Sequence, residues 1–365
     1  MKSKALQILA TLLSLVLLMC GCSAFTTYFS LFIHEQTLSS NWVGIIQAAF
    51  FGGYICGTHF SHHIIDRLSH KKGFILTTLL FSILQLALFS IPSVYSWFAM
   101  RFFSGILISI LYIILESSLL ISSKGKRQGF AVSLFMMGLY LSQSTGQFIY
   151  DFFNQIEYIA IVSPLLSTLP MLLVKQELNE HTNLIKVPLS TFIKHFPIEM
   201  LLCLFTGSLV GIFFVYCPIL LKQNSLTVGK AMGVALLGAL FFQFPVGSVS
   251  DKIDKSTLIR LIAITMFITM ISLSMKSLFY PLVFICGGAL FSLYPLILAK
   301  LATHFDKKSY TSLCSTLLLT YSIGSIIGPL VCAISIPIYF VMICFGALSL
   351  MFAMRPHQTK LTNNS

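Results

Sequence analysis

The feature that most constrains this chain is a succession of charge-free apolar runs, each long enough to cross a bilayer. A helix rises about 1.5 Å per residue, so the roughly 30 Å hydrocarbon core requires about 20 apolar residues. Largely apolar runs of that length, charge-free or nearly so, recur at about 8–33, 42–64, 73–92, 97–121, 130–150, 157–174, 200–221, 230–249, 257–275, 279–300, 311–333 and 335–353. The last two share one charge-free stretch from Ser309 to Met354, where Pro337 marks a turn between helices. Composition agrees, since apolar residues make up 56% of the 365 and charged residues 9%. Soluble domains carry about 25% charged residues, so this surface is solvated mostly by lipid. The expected fold is an all-α membrane protein of twelve transmembrane helices.

The first run follows Lys2 and Lys4, and Leu18 to Cys22 loosely matches a lipoprotein cleavage site. A signal peptide's apolar core spans only about 7–15 residues, whereas this charge-free stretch continues from Ala5 to His34. It reads as the first span.

The net charge is +12, which raises nucleic acid as a partner. The basic residues, however, fall singly or in short groups between apolar runs, without the interleaved aromatics of a strand-binding groove. Read as topology, the charge is ordered. With the N-terminus cytoplasmic, 19 Lys and Arg fall on the cytoplasmic side and 3, Lys222, Lys230 and Lys276, on the other; Arg101 lies within a span. This is the bias of cytoplasmic loops, and it places both termini inside, in a bacterial inner membrane.

The longest polar loop, about Lys175 to Pro197, divides the chain into bundles at 1–174 and 198–365. Asp66-Arg67 and Asp251-Lys252 lie 185 residues apart, and Gly138 and Gly324 lie 186 apart. That offset is half the chain, as expected of two copies of a six-helix unit. The nine cysteines include no CxxC pair and lie in apolar runs, so neither a disulfide framework nor a zinc site is implied. His59, His62 and His63 share a helix face by spacing, but no second ligand cluster joins them. No metal or cofactor is expected.

Charges inside spans are costly, about 2.5–3.5 kcal/mol by insertion scales, and are functional candidates by default. Arg101 and Glu116 are two such residues in one span. About 22 Å of helix separates them, so they do not pair directly. Glu116 lies about one turn from the cytoplasmic end, near the depth of Arg67 and Lys71. It reads first as a gate partner of those cations and second as a proton carrier. A cavity between bundles would draw on polar and aromatic residues at mid-depth: Thr26, Thr27, Gln47, Gln143, Gln147, Tyr216, Gln243, Tyr294 and Tyr321. Each has the alternative role of bonding a neighbouring helix.

His62 to Lys72, containing Asp66-Arg67 and Lys71-Lys72, resembles the loop motif between helices two and three of the major facilitator superfamily. Gly247-Ser248-Val249-Ser250-Asp251-Lys252 is a clearer second copy. Further stretches resemble the superfamily's YcaD-like branch: Trp97 to Arg101 with Gly105; Glu116-Ser117 and Arg127-Gln128-Gly129; Gln243 to Gly247; Leu293-Tyr294-Pro295; and Gly328-Pro329. Ser118 replaces that branch's usual Trp, and Ser69 its usual loop glycine. The resemblance implies a secondary transporter with two pseudo-symmetric six-helix bundles, working by alternating access. It implies that Asp66, Arg67, Lys71, Asp251 and Lys252 form a cytoplasmic gate, and that Arg101 serves coupling or helix bracing. It fixes the class and not the cargo. The expected partners are a small-molecule solute, the lipid bilayer and, as a candidate coupling ion, protons, with the protein a monomer. The competing readings are a transport-fold sensor or scaffold and, through Ser23 in Gly21-Cys22-Ser23-Ala24, an intramembrane enzyme.

Overall fold

The computed structural model describes residues 2–37, 39–122, 128–173, 189–250, 252–273, 275–305, 310–334 and 337–355. These residues form helices and connecting turns, without strands. In chain order the helices are α1 (Lys2–Thr37), α2 (Ser40–Ser90), α3 (Val94–Ser122), α4 (Gln128–Phe152), α5 (Ile156–Met171) and the short α6 (Leu189–His195). They continue as α7 (Pro197–Gln223), α8 (Val228–Ser250), α9 (Lys255–Ser272), α10 (Phe279–Ala302), α11 (Tyr310–Ala333) and α12 (Ile338–Met354).

The long α2 is two helices joined by a sharp break at Ser69, whose backbone adopts φ 63° and ψ 164°. That conformation is nearly confined to glycine and costs other residues about 1–3 kcal/mol. The sequence comparison with the loop motif expects glycine there; the backbone keeps the glycine conformation although the side chain has changed. With α2 divided and the seven-residue α6 set aside, twelve helical segments run back and forth, close to the expected spans. Eight are long and apolar enough to cross a membrane, and α5 and α12 are shorter apolar helices. The sixth expected span, to 174, is shorter in the structure, since α5 ends at Met171.

Five of the helices that start at the α1–α2 end of the molecule carry an aromatic in their first turn: Trp42, Tyr95, Tyr158, Tyr280 and Tyr339. Such amphipathic rings favour a membrane–water interface. At the opposite end, where Ser69 lies, Asp254 caps α9 by accepting a hydrogen bond from Thr257 N at 3.0 Å. That bond holds its carboxyl below the usual carboxylate range.

Packing sorts the helices into two groups. In the first, α2 lies along α3, and α1 along α4 and α5; in the second, α7 lies along α11, and α8 along α10. Glycines set these approaches, and the same pairs recur. A Cβ at Gly53 would lie 1.8 Å from the Phe102 carbonyl oxygen across α2 and α3, and one at Gly238 would lie 1.9 Å from that of Phe284 across α8 and α10. Gly53 and Gly238 are 185 residues apart. The expected pairing of Gly138 with Gly324 is weaker. Gly138 meets only leucine side chains, whereas a Cβ at Gly146 would sit 2.2 Å from the Cys20 carbonyl, as one at Gly328 would from that of Ser208.

The linker is more structured than a plain loop at its C-terminal end. α6 buries Phe192, which stacks on Phe305 at 5.0 Å between centroids, and Phe196 packs against His304 and Phe305. Residues 174–188 of the linker lie outside the described residues. Beside α6, Glu199 in the first turn of α7 and Lys300 in the last turn of α10 form a buried ion pair at 2.8 Å. Each charge is also placed favourably for its own helix dipole.

Candidate central cavity

Between the two groups lies a cavity of about 260 Å³, walled by α1, α2, α3 and α4 on one side and α7, α10 and α11 on the other. Aromatic side chains form the largest single part of its wall. Phe50, Phe51, Tyr54, Tyr112 and Tyr140 contribute from the first bundle, and Phe214, Phe291 and Tyr321 from the second. Thr26, Gln47, Gln143, Ser322 and Ser325 add polar points, and Arg101 is the charged residue on the wall.

Arg101 is positioned by local packing. Gly105, one turn further along α3, has no side chain to hold α2 away; a Cβ there would lie 2.0 Å from the Phe50 carbonyl oxygen. The close approach sets the guanidinium 4.3 Å from the Phe50 ring centroid. The Phe25 and Phe29 rings lie at 5.5 Å. A cation facing ring quadrupoles in a dry site gains roughly 2 kcal/mol or more per good contact. Arg101 Nη2 donates to Gln47 Oε1 at 2.5 Å, and Gln47 Nε2 donates to Ser30 Oγ at 2.8 Å. Arg101 Nε is enclosed and has no acceptor among the described residues. The side chain is 2% exposed.

The other cavity candidates divide. Gln47, Gln143, Thr26 and Tyr321 line the cavity. Thr27 and Gln147 brace helices instead: Thr27 Oγ1 donates to Gln147 Oε1 at 2.8 Å, and Gln147 Nε2 donates to the Ser23 carbonyl and hydroxyl. Ser23 Oγ in turn donates to the Gln143 carbonyl at 2.8 Å, so its hydroxyl is part of the α1–α4 seam. Tyr216 donates to the Pro329 carbonyl at 3.3 Å, tying α7 to α11. Tyr294 packs edge-on against Tyr321 at 5.1 Å, behind the wall, and Gln243 lies near the Ser69 end of α8. Sequence reading expected aromatics in the wall and named Tyr321, but missed Phe50, Phe51, Tyr54, Tyr112, Tyr140, Phe214 and Phe291, because Phe and Tyr at cavity positions share the pattern of Phe and Tyr facing lipid.

The gate candidates are only partly described. Asp251 and the Asp66 side chain, with the side chains of His59, His62 and His63, lie outside the described residues. Arg67 and Lys252 are exposed. Lys71 Nζ donates to the Leu172 carbonyl at 2.5 Å, capping the end of α5. Glu116 is half-buried at the Ser69 side of the cavity and pairs with none of these cations among the described residues. Its neighbour Ser117 bonds the buried His70 at 3.0 Å, across the break in α2.

Polar contacts between the bundles, among the described residues, lie at mid-depth or at the α1–α2 end. Ser144 Oγ donates to the Gly233 carbonyl at 2.9 Å, and Tyr140 to that of Phe291 at 3.5 Å. Asp151, at the end of α4, accepts from the backbone N–H groups of Gly229 at 2.8 Å and Lys230 at 2.5 Å. These are the first amides of α8, where the helix dipole favours a carboxylate. Glu35 of α1 pairs with Lys222 of α7. Gly44 of α2 packs so tightly on Tyr216, Pro329 and Ala333 that a Cβ would meet the Pro329 carbonyl at 2.7 Å. Toward the Ser69 end, Cys56 and Phe60 of α2, Cys314 of α11, and Phe241 and Phe244 of α8 are exposed.

A family model described as the Major Facilitator Superfamily matches residues 11–329. The chain is 26% identical to an uncharacterized MFS-type transporter of Yersinia enterocolitica, covering 94% of this chain and 96% of that one. It is 23% identical to the uncharacterized MFS-type transporter YcaD of Salmonella dublin, over 88% of this chain and 87% of that one. Among solved structures it is similar to the nucleoside transporter NupG (TM-score 0.77, 12% identity, 97% of this chain and 98% of that one). It is also similar to the human organic anion transporter MFSD10 (TM-score 0.71, 11% identity, 96% and 98%). At these identities the structural likeness speaks to fold: an all-α membrane protein of two helical bundles about a central cavity. With its family model spanning most of the sequence, the chain belongs to the Major Facilitator Superfamily of membrane transporters.

Proposed function

We propose that this protein carries a small organic solute across a bacterial inner membrane by alternating access, with the 1–174 and 198–365 bundles rocking about the central cavity. The observation that carries this reading is the cavity between the bundles, with the described polar contacts between them at mid-depth and at the α1–α2 end. On the charge count the Ser69 end faces the cytoplasm, and the placement of the described polar contacts at the other end supports reading this as an inward-facing state. Asp151 on the α8 amides and Glu35 with Lys222 then act as the outer latch. By the internal repeat, Asp66 and Asp251 would serve the cytoplasmic side in the alternate state. An Asp at a helix N-terminus is worth about 0.3–1 kcal/mol, weak enough to break in each cycle.

The test is flux. Purified protein in liposomes, presented with a mixed pool of small metabolites, is expected to take up or release at least one solute saturably, above protein-free vesicles. Binding without any flux would sink the transport reading and favour a sensor built on the same fold.

A further inference from the structure

We propose that the central cavity selects organic anions with an aromatic or apolar body, and that Arg101 receives the anionic group. The inference deepens the transport reading and rests on it.

Among the described residues the charge of Arg101 has no counter-ion. Each described carboxylate is accounted for elsewhere. Glu35 pairs with Lys222, Glu199 with Lys300 and Glu157 with Tyr28. Asp151 holds the start of α8, and Asp254 caps α9. Glu116 is fifteen residues away on the same helix. A fully desolvated charge is stable only when paired or coordinated. The Phe25, Phe29 and Phe50 rings and one Gln47 oxygen offset part of that cost and leave a net positive wall. A guanidinium presents forked N–H donors that match a carboxylate. A bound anion supplies the missing partner, whereas a cation would meet like charge at low dielectric.

The rest of the wall defines the body of the ligand. Beyond Arg101 it presents Phe50, Phe51, Tyr54, Phe214 and Phe291, with uncharged polar groups between them. A second cation is absent from the described wall, so a monoanion fits better than a doubly charged phosphate ester. Flat or apolar groups stack on such rings, whereas a highly hydroxylated solute would leave its own hydroxyls unpaired.

Equilibrium binding tests this independently of flux. The full-length protein in lipid nanodiscs is titrated with benzoate, benzamide and benzylamine, which share a ring and differ in charge. Thermal stabilisation and competition give the affinities. Benzoate is expected to bind at least tenfold tighter than benzamide, and benzylamine weakest. Arg101→Gln is expected to bring benzoate down to the benzamide level, and Arg101→Lys to keep part of the preference. A purely structural role for Arg101 would lower the melting temperature of the variants without changing the order of the probes. Should Arg101→Gln fail to fold, the wild-type series and Arg101→Lys decide. Equal binding of the three probes, preference for the amine, or no binding of any overturns the proposal. Anion preference without flux would remove the transport reading alone. Flux of neutral or cationic solutes without anion preference would remove this inference alone.

Discussion

At the scale of single residues, two positions separate what a side chain is from what its surroundings ask of it. Ser69 holds a backbone conformation suited to glycine, so Ser69→Gly should relieve about 1 kcal/mol of backbone strain, less the greater freedom glycine regains on unfolding. The expected result is a melting temperature equal to or above wild type. A clear drop would mean that the Ser69 side chain itself holds the break. Glu116 poses a different question. Its suggested cationic partners are engaged or exposed: Lys71 caps α5 and Arg67 faces outward. That favours the proton-carrying reading over the gate reading. Glu116→Gln is then expected to abolish accumulation driven by a pH gradient while solute exchange down its own gradient persists. Loss of both activities would return Glu116 to a gate or folding role, and loss of neither would place coupling elsewhere.

At the scale of helices, the dominant device is close approach through glycine. Membrane helices gain no hydrophobic drive from packing on one another, so backbone proximity and interhelical hydrogen bonds take its place. Gly105 brings α3 onto α2 and so sets Arg101 beside Phe50. Gly105→Ala would drive a methyl to 2.0 Å from the Phe50 carbonyl oxygen; the helices must part, at a cost of order 1–3 kcal/mol. Thermal unfolding in detergent should register the loss, with ligand binding weakened in step. Gly247→Ala, where nothing lies within 4 Å, is the matched control and should leave stability within about 0.5 kcal/mol of wild type. Similar losses at both sites would contradict the packing argument.

At the scale of the whole molecule, the described contacts that join the bundles at the α1–α2 end predict how the state can be shifted. Asp151→Asn removes a charge from the α8 N-terminus, and Lys222→Gln removes the pair with Glu35. Together they should move the population toward the outward-open state. In a protein whose only remaining cysteine is Cys22, on the cavity wall, labelling by an impermeant maleimide from the outside should rise severalfold. Unchanged labelling from both sides would show that these contacts do not latch the bundles.

The sequence by itself determined the class of solvent, the all-helical fold and the approximate placement of the apolar helices. Each depends on properties that add along the chain: twenty apolar residues match a bilayer wherever they pack. The intramembrane position of Arg101 was legible for the same reason, since one charge stands out in an apolar run. The tertiary structure decided what those residues face. Gln47 and Tyr321 line the cavity while Thr27, Gln147 and Tyr216 bond neighbouring helices, although all five read alike in sequence. The packing of α6 on Phe305 through Phe192, the buried Glu199–Lys300 pair and the docking of Asp151 on α8 were also invisible, because each joins residues distant in the chain. In lipid an apolar side chain is equally at home facing a helix, a cavity or the membrane. Hydrophobic pattern therefore finds the spans but carries little information about their faces, and only the packing of backbone against backbone settles which residues meet the solute.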